Sequence, residues 1–173
     1  MRRVALLFSA AGVALLLASG VAWAANVIGT NGDDFILRGT NNSDNILGLG
    51  GDDYISGEGG SDNILGGPGD DEVYSGLGGD ENLVGGSGRD LLSLGPGTGR
   101  AVGGDGSDVL LQSRVTEAAK DSLSGGDGND VLYADNRPAA RDILSCGRGS
   151  DRVLADTEDY VAPDCERVRI STQ

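Results

Sequence analysis

Large aliphatic residues return along this chain at intervals too long for an ordinary helix or strand, and almost always two positions after an acid. The pairs run Asp34/Ile36, Asp44/Ile46, Asp53/Ile55, Asp62/Ile64 and Asp71/Val73, then Asp90/Leu92, Asp108/Leu110, Asp121/Leu123, Asp130/Leu132, Asp142/Leu144 and Asp151/Val153. Glu81/Leu83 is a variant of the pair, and Asp159/Val161 a weak last echo. Most steps are nine or ten residues long. Around each aliphatic residue the pattern alternates over three positions, which predicts a three-residue strand with one side chain turned inward. Such a strand cannot satisfy its backbone alone. It needs copies of itself above and below, as in a solenoid.

The stretches between the aliphatic residues are glycine phrases. They read GGDGSDVLL at residues 103–111, GGDGNDVLY at 125–133, GGPGDDEVY at 66–74 and GGSGRDLLS at 85–93. The shared pattern is G-G-x-G-x-D-x-U-x, with U a large aliphatic residue, and its glycines suit bends that need φ > 0. It resembles the nonapeptide of RTX proteins, the hemolysin-type calcium-binding repeats. The resemblance covers residues 29–153 and implies an all-β fold, a right-handed parallel β-roll with two phrases per turn and several bound Ca²⁺ ions.

With two phrases per turn, alternate loops share an edge. One row holds Asp34, Asp53, Asp71, Asp90, Asp108, Asp130 and Asp151, each preceded by a fourth-position glycine: Gly32, Gly51, Gly69, Gly88, Gly106, Gly128 and Gly149. That row is unbroken. The other holds Asp44, Asp62, Glu81, Gly99, Asp121 and Asp142, and it decays. Asn42 replaces a glycine, Gly99 replaces the acid, and longer stretches intrude at 112–120 and 134–141. The reading is one regular metal edge and one irregular edge.

Ca²⁺ takes six to eight oxygen ligands, and a glycine loop can turn carbonyls toward it while the sixth-position aspartate adds a carboxylate. The expected ligands are therefore the residues of the first row, with Asp44, Asp62, Glu81, Asp121 and Asp142 as weaker candidates. Stacked carboxylates ~4.8 Å apart repel, so calcium is expected to govern folding. The chain has no histidine, which disfavours zinc and removes the usual general base. No loop has the EF-hand pattern.

Residues 1–24 read as a secretory signal peptide. Arg2 and Arg3 are followed by an apolar run at 4–17 and an Ala22-Trp23-Ala24 cleavage site. Without Arg2 and Arg3 the chain has 11 basic against 27 acidic residues. A net charge of −16 makes nucleic acid a poor partner and a cation the obvious one. Nothing suggests membrane insertion. The expected organisation is a signal peptide (1–24), a β-roll (25–154) and a C-terminal cap (155–173). Two cysteines in an exported chain favour a Cys146–Cys165 disulfide. It would pin a glycine-poor tail over the last turn through Tyr160, Val161 and Val168, an arrangement that resembles secreted actinobacterial RTX-type proteins.

The function expected from these features is a secreted, non-catalytic calcium-binding repeat protein that folds on Ca²⁺. Its role would be structural or adhesive, with a cell-wall or extracellular polysaccharide or protein as partner. A second reading is a calcium-dependent polysaccharide lyase, with Arg89, Arg100 or Arg114 as its basic residue. A third is an ice- or surface-binding roll, for which only Thr30 and Thr40 fall in register.

Overall fold

The computed structural model describes residues 24–112, 119–136 and 139–172. The signal-peptide expectation falls outside these residues except at Ala24, as do Arg114 and most of the first long insertion. Among the described residues there is no helix, and none long and apolar enough to cross a membrane.

The chain folds into a two-sheet parallel β-solenoid. Its strands are β1 (Asn26–Ile28), β2 (Leu37–Arg38), β3 (Asn45–Leu47), β4 (Tyr54–Ser56), β5 (Asn63–Pro68), β6 (Glu72–Tyr74), β7 (Glu81–Ser87) and β8 (Leu91–Ser93). They continue with β9 (Gly99–Asp105), β10 (Val109–Leu111), β11 (Ser122–Gly128), β12 (Val131–Tyr133), β13 (Ile143–Gly149), β14 (Arg152–Ala155), β15 (Tyr160–Val161) and β16 (Arg167–Ile170). Odd-numbered strands form one sheet and even-numbered strands the other, each strand pairing with the next of its own set. One turn therefore takes one strand from each sheet.

The inward aliphatic residues stack in register. Ile46, Ile64, Leu83, Ala101, Leu123 and Leu144 run up the odd sheet, facing Ile55, Val73, Leu92, Leu110, Leu132 and Val153 of the even sheet. All are at most 3% exposed. Burying one such large side chain is worth about 1.5–3 kcal/mol, and these two facing columns make up most of the core, with Leu37, Leu94, Ala134, Cys146 and Ala155 completing it.

Two details depart from the sequence reading. In the first turn Leu37, not Ile36, points inward and pairs with Ile55, while Phe35 and Ile36 are 93% and 58% exposed. β2 ends its sheet, so no preceding turn prevents one extra residue from bulging out there. In the odd sheet, β5, β7, β9, β11 and β13 span six or seven residues rather than three. They take in glycines of the first-row loops, which pair as Gly67↔Gly86, Gly86↔Gly104, Gly104↔Gly126 and Gly126↔Gly147. Regular repeats stack closely enough for their loops to join the sheet.

The tail forms one more turn. β15 extends the odd sheet from β13 and β16 the even sheet from β14. The Cys146–Cys165 disulfide, with Cα atoms 5.1 Å apart, ties this turn to the repeat below. Val161 and Cys165 pack on the core, whereas Tyr160 and Val168 remain 50% and 42% exposed.

Candidate metal centre

The first-row aspartates lie on one edge, joined by a repeated hydrogen bond. Each N–H donates to Oδ1 of the aspartate one turn on: Asp34 to Asp53 at 2.9 Å, Asp53 to Asp71 at 2.9 Å and Asp71 to Asp90 at 3.0 Å. Asp90 donates to Asp108 at 2.9 Å, Asp108 to Asp130 at 2.9 Å and Asp130 to Asp151 at 2.8 Å. Glu166 ends the series by accepting from Asp151 at 2.9 Å.

The second oxygen of each carboxylate has a different fate. Oδ2 of Asp53, Asp71, Asp90, Asp108, Asp130 and Asp151 is buried with no donor. In the phrases of Asp53, Asp71, Asp90, Asp108 and Asp130 it is turned toward the first-position glycine, where a Cβ on Gly85, Gly103 or Gly125 would collide with Asp90, Asp108 or Asp130; in the phrase of Asp151 that position is Cys146. Only Asp34, at the open end, has this oxygen satisfied, by the Thr30 N–H at 2.7 Å. Leaving a buried acceptor unmade costs roughly 1–3 kcal/mol, and more when it is charged. The cradle is built for something the polypeptide does not supply.

Its electrostatics agree. Burial pushes Asp71 and Asp130 up to about 6 and Asp90 up to about 7, and raises Asp53 and Asp108 as well. Desolvation dominates at each of them; repulsion from neighbouring carboxylates, foremost in the sequence reading, is the smaller effect. A cation would offset both by favouring the charged form.

Among the described residues no three acidic side chains converge on one point. An ion on this edge must therefore take most of its ligands from the backbone. The loops permit that. Gly86 and Gly88 have φ of 136° and 129°, and Gly104 and Gly106 of 124° and 148°. A Cβ on Gly104 would strike the carbonyl oxygen of Gly86, and one on Gly106 that of Gly88. The same positive φ recurs at Gly51, Gly69, Gly128 and Gly149, but not at Gly32 of the open first turn. Carboxylate and carbonyl oxygens without imidazole or thiolate are the donor set of Ca²⁺.

The irregular edge meets the same problem differently from turn to turn. Asp44 Oδ2 accepts from the Thr40 N–H at 2.5 Å and hydroxyl at 3.0 Å. Asp62 Oδ2 and Glu81 Oε1 are buried without donors, and burial pushes these groups up to about 6 and about 7. At Gly99 the acid is missing, and the Glu81 N–H turns instead to the Thr98 carbonyl at 3.0 Å. Beyond it, Asn136 Nδ2 donates to Asp142 Oδ2 at 3.2 Å, and burial raises both Asp121 and Asp142 against a smaller lowering from the Gln112 amide. Asp142 donates its N–H to Asp159 at 3.0 Å, which closes this row as Glu166 closes the other.

Gln112, Asn136 and Glu166 escaped the sequence reading because none occupies a fixed repeat position, and Thr30, Thr40 and Asp159, though in register, were not read as partners of these acids. The two threonines are turned to their own loops, since the Thr30 hydroxyl donates to the Gly32 carbonyl at 2.8 Å. A second column was also missed. Asp33, Asp52 and Asp70 stack outside the first row, Asp52 donating its N–H to Asp33 at 2.9 Å and Asp70 to Asp52 at 2.8 Å. Arg89 closes it with a 2.7 Å ion pair to Asp70. Arg100 rests on Asn82 Oδ1 at 3.4 Å.

A protein-family comparison agrees with this architecture. The model of the RTX calcium-binding nonapeptide repeat (4 copies) matches residues 38–73, 75–110 and 116–136. No curated protein matches the chain. Stacked glycine loops, an oxygen-only donor set and a family match over more than half the chain lead to one conclusion: this protein belongs to the RTX calcium-binding nonapeptide repeat family and binds several Ca²⁺ ions.

Proposed function

We propose that the chain is exported and folds on Ca²⁺ into a non-catalytic structural or adhesive module outside the cell. The observation that carries this reading is the set of six first-row carboxylate oxygens buried without a donor. The ligands would be Asp53, Asp71, Asp90, Asp108, Asp130 and Asp151 with carbonyls of the adjoining glycine loops, and Asp34 at the open end. Asp62 and Glu81 would hold ions on the second edge. Bound Ca²⁺ supplies the positive charge that lets these carboxylates stay ionised when buried. The chain's own residues set the register, because each Oδ1 stitches its turn to the one before it.

Export rests on Arg2, Arg3, the apolar run at 4–17 and the Ala22-Trp23-Ala24 site. The strong negative charge disfavours nucleic acid as a partner. The test is a circular dichroism titration of residues 25–173. In EDTA the chain should be largely disordered, and millimolar Ca²⁺ should produce β-signal where Mg²⁺ does so poorly. Identical spectra with and without chelator would overturn the reading. Release of unsaturated products from pectate, alginate or hyaluronan would overturn its non-catalytic part.

A further inference from the structure

The last turns of the even sheet carry a cationic strip on an acidic molecule. Arg152 in β14 and Arg167 in β16 are register partners, and Arg169 lies opposite Leu154. All three arginines are exposed. Among the described residues the ion pairs are Arg38–Glu58, Arg89–Asp70 and Arg148–Asp127, so none of the three is paired with a carboxylate. Neighbouring strands lie about 4.8 Å apart, and like charges placed opposite each other destabilise a sheet. Two neighbouring acids serve the edge instead: Asp130, beside Val131 of the same sheet, is 1% exposed, and Glu166, next to Arg167 in sequence, accepts the Asp151 N–H.

We propose that this strip binds an acidic polysaccharide through its carboxylate or sulfate groups. The arginines flank a shallow concavity of about 510 Å³ across β12, β14 and β16, which Tyr133, Val131 and Leu154 also line. An open trough with several cations suits a polymer with repeated charges better than a small anion, which needs an enclosed site. Guanidinium forks match carboxylate and sulfate oxygens in pairs. Tyr133, 38% exposed, adds a rigid amphipathic ring to the floor. The acidic remainder of the surface repels a polyanion and confines it to this end. Guarding the open edge strand against self-pairing explains charges on β16, but Arg152 is one strand further in. This inference names the partner class of the adhesive role proposed above and rests on the calcium-loaded roll.

The test measures binding of short oligogalacturonides, sulfated dextran oligosaccharides and neutral dextran to the calcium-loaded protein by isothermal titration at low and high salt. Either or both acidic glycans should bind, more weakly at high salt, and neutral dextran should not. Which of them binds identifies the group recognised. The R152A/R167A/R169A variant should bind at least tenfold more weakly, and R38A/R89A should match the parent. The single reversal R167E, at an exposed position, should weaken binding as well and covers failure of the triple variant to fold. Unchanged affinity in these variants, or equal binding of neutral dextran, overturns the site. So does self-association of the triple variant without loss of glycan, which leaves the arginines as edge guards. Circular dichroism of the same samples separates the two readings. Calcium-induced β-signal with no glycan binding overturns this site alone, and glycan binding with a calcium-insensitive spectrum overturns the calcium reading alone.

Discussion

Leu94 fills the space that a side chain at Gly99 would need: a Cβ built there would lie 2.7 Å from Leu94 Cδ2 and 3.0 Å from Cδ1. Elsewhere on the roll the relation is reversed. A first-position glycine leaves room for the acid five residues on, as Gly85 does for Asp90. The two departures at 94 and 99 are therefore one event, in which a 2%-exposed aliphatic plug replaces a carboxylate and the charge it would bring.

This pairing is testable by restoring the missing acid. Gly99→Asp alone should overpack the site, with a penalty of about 1–3 kcal/mol, and bind no additional calcium. The double variant Leu94→Gly/Gly99→Asp should recover stability and bind more Ca²⁺ than the parent. Equilibrium dialysis for stoichiometry and thermal melts for stability check both outcomes.

The two edges should answer differently to loss of an acid. Asp90→Ala or Asp108→Ala removes a carboxylate with a donorless oxygen and should lower both calcium stoichiometry and melting temperature. Asp142→Ala removes a carboxylate already bound by Asn136. It should keep the calcium count and lose about 1–3 kcal/mol from the broken hydrogen bonds. Isothermal titration of the three variants separates the cases.

The raised carboxylates fix the sign of the pH dependence. A carboxyl group whose pKa is higher folded than unfolded stabilises the fold at low pH, and that contribution is lost as pH rises through the folded value. For Asp71, Asp130 and Asp62 that value is about 6, and for Asp90 and Glu81 about 7. Without calcium the chain should thus be more ordered near about pH 4.5 than near about pH 8. With calcium the trend inverts, because protons compete for the same oxygens. Half-saturation should need more Ca²⁺ as pH falls from about 8 to about 5, which titrations at fixed ionic strength would read directly.

The disulfide should matter most at its own end. Cys146 and Cys165 are 19 positions apart, and closing a loop of that length contributes about 3 kcal/mol in the chain-entropy account. Cys165→Ser should lower the melting temperature of the calcium-loaded protein and promote aggregation through the loosened last strand. The central repeats should keep their calcium. Mass spectrometry of the unreduced native protein should find no alkylatable thiol.

The sequence carried what repeats and little of what does not. The two rows were legible because Asp and U recur at fixed offsets, and the structure places Asp90 and Asp108 on one edge and Asp121 and Asp142 on the other. The first inward residue was misplaced because an open end tolerates the bulge at Phe35 and Ile36. Asn136 was illegible as the partner of Asp142. It reaches that acid from inside a long insertion, where periodicity says nothing about register. Gly99 looked like a lapse in the motif until its contact with Leu94 gave it a purpose.

The stitch between turns also has a direction. Each first-row N–H finds its acceptor on the turn that follows it, never on the one before, and the last acceptor is Glu166. A half-made roll therefore has its unmet donors on the side where the chain is still missing. Main-chain donors run the other way, Tyr54 to the Asp34 carbonyl and Glu72 to the Asp53 carbonyl, so each new turn docks on the one before it while that predecessor waits for an acid. The C-terminal turn brings the last of those acids, and truncating it should fray the top of the roll, with the Asp151 N–H left unmet, while the lower turns stand.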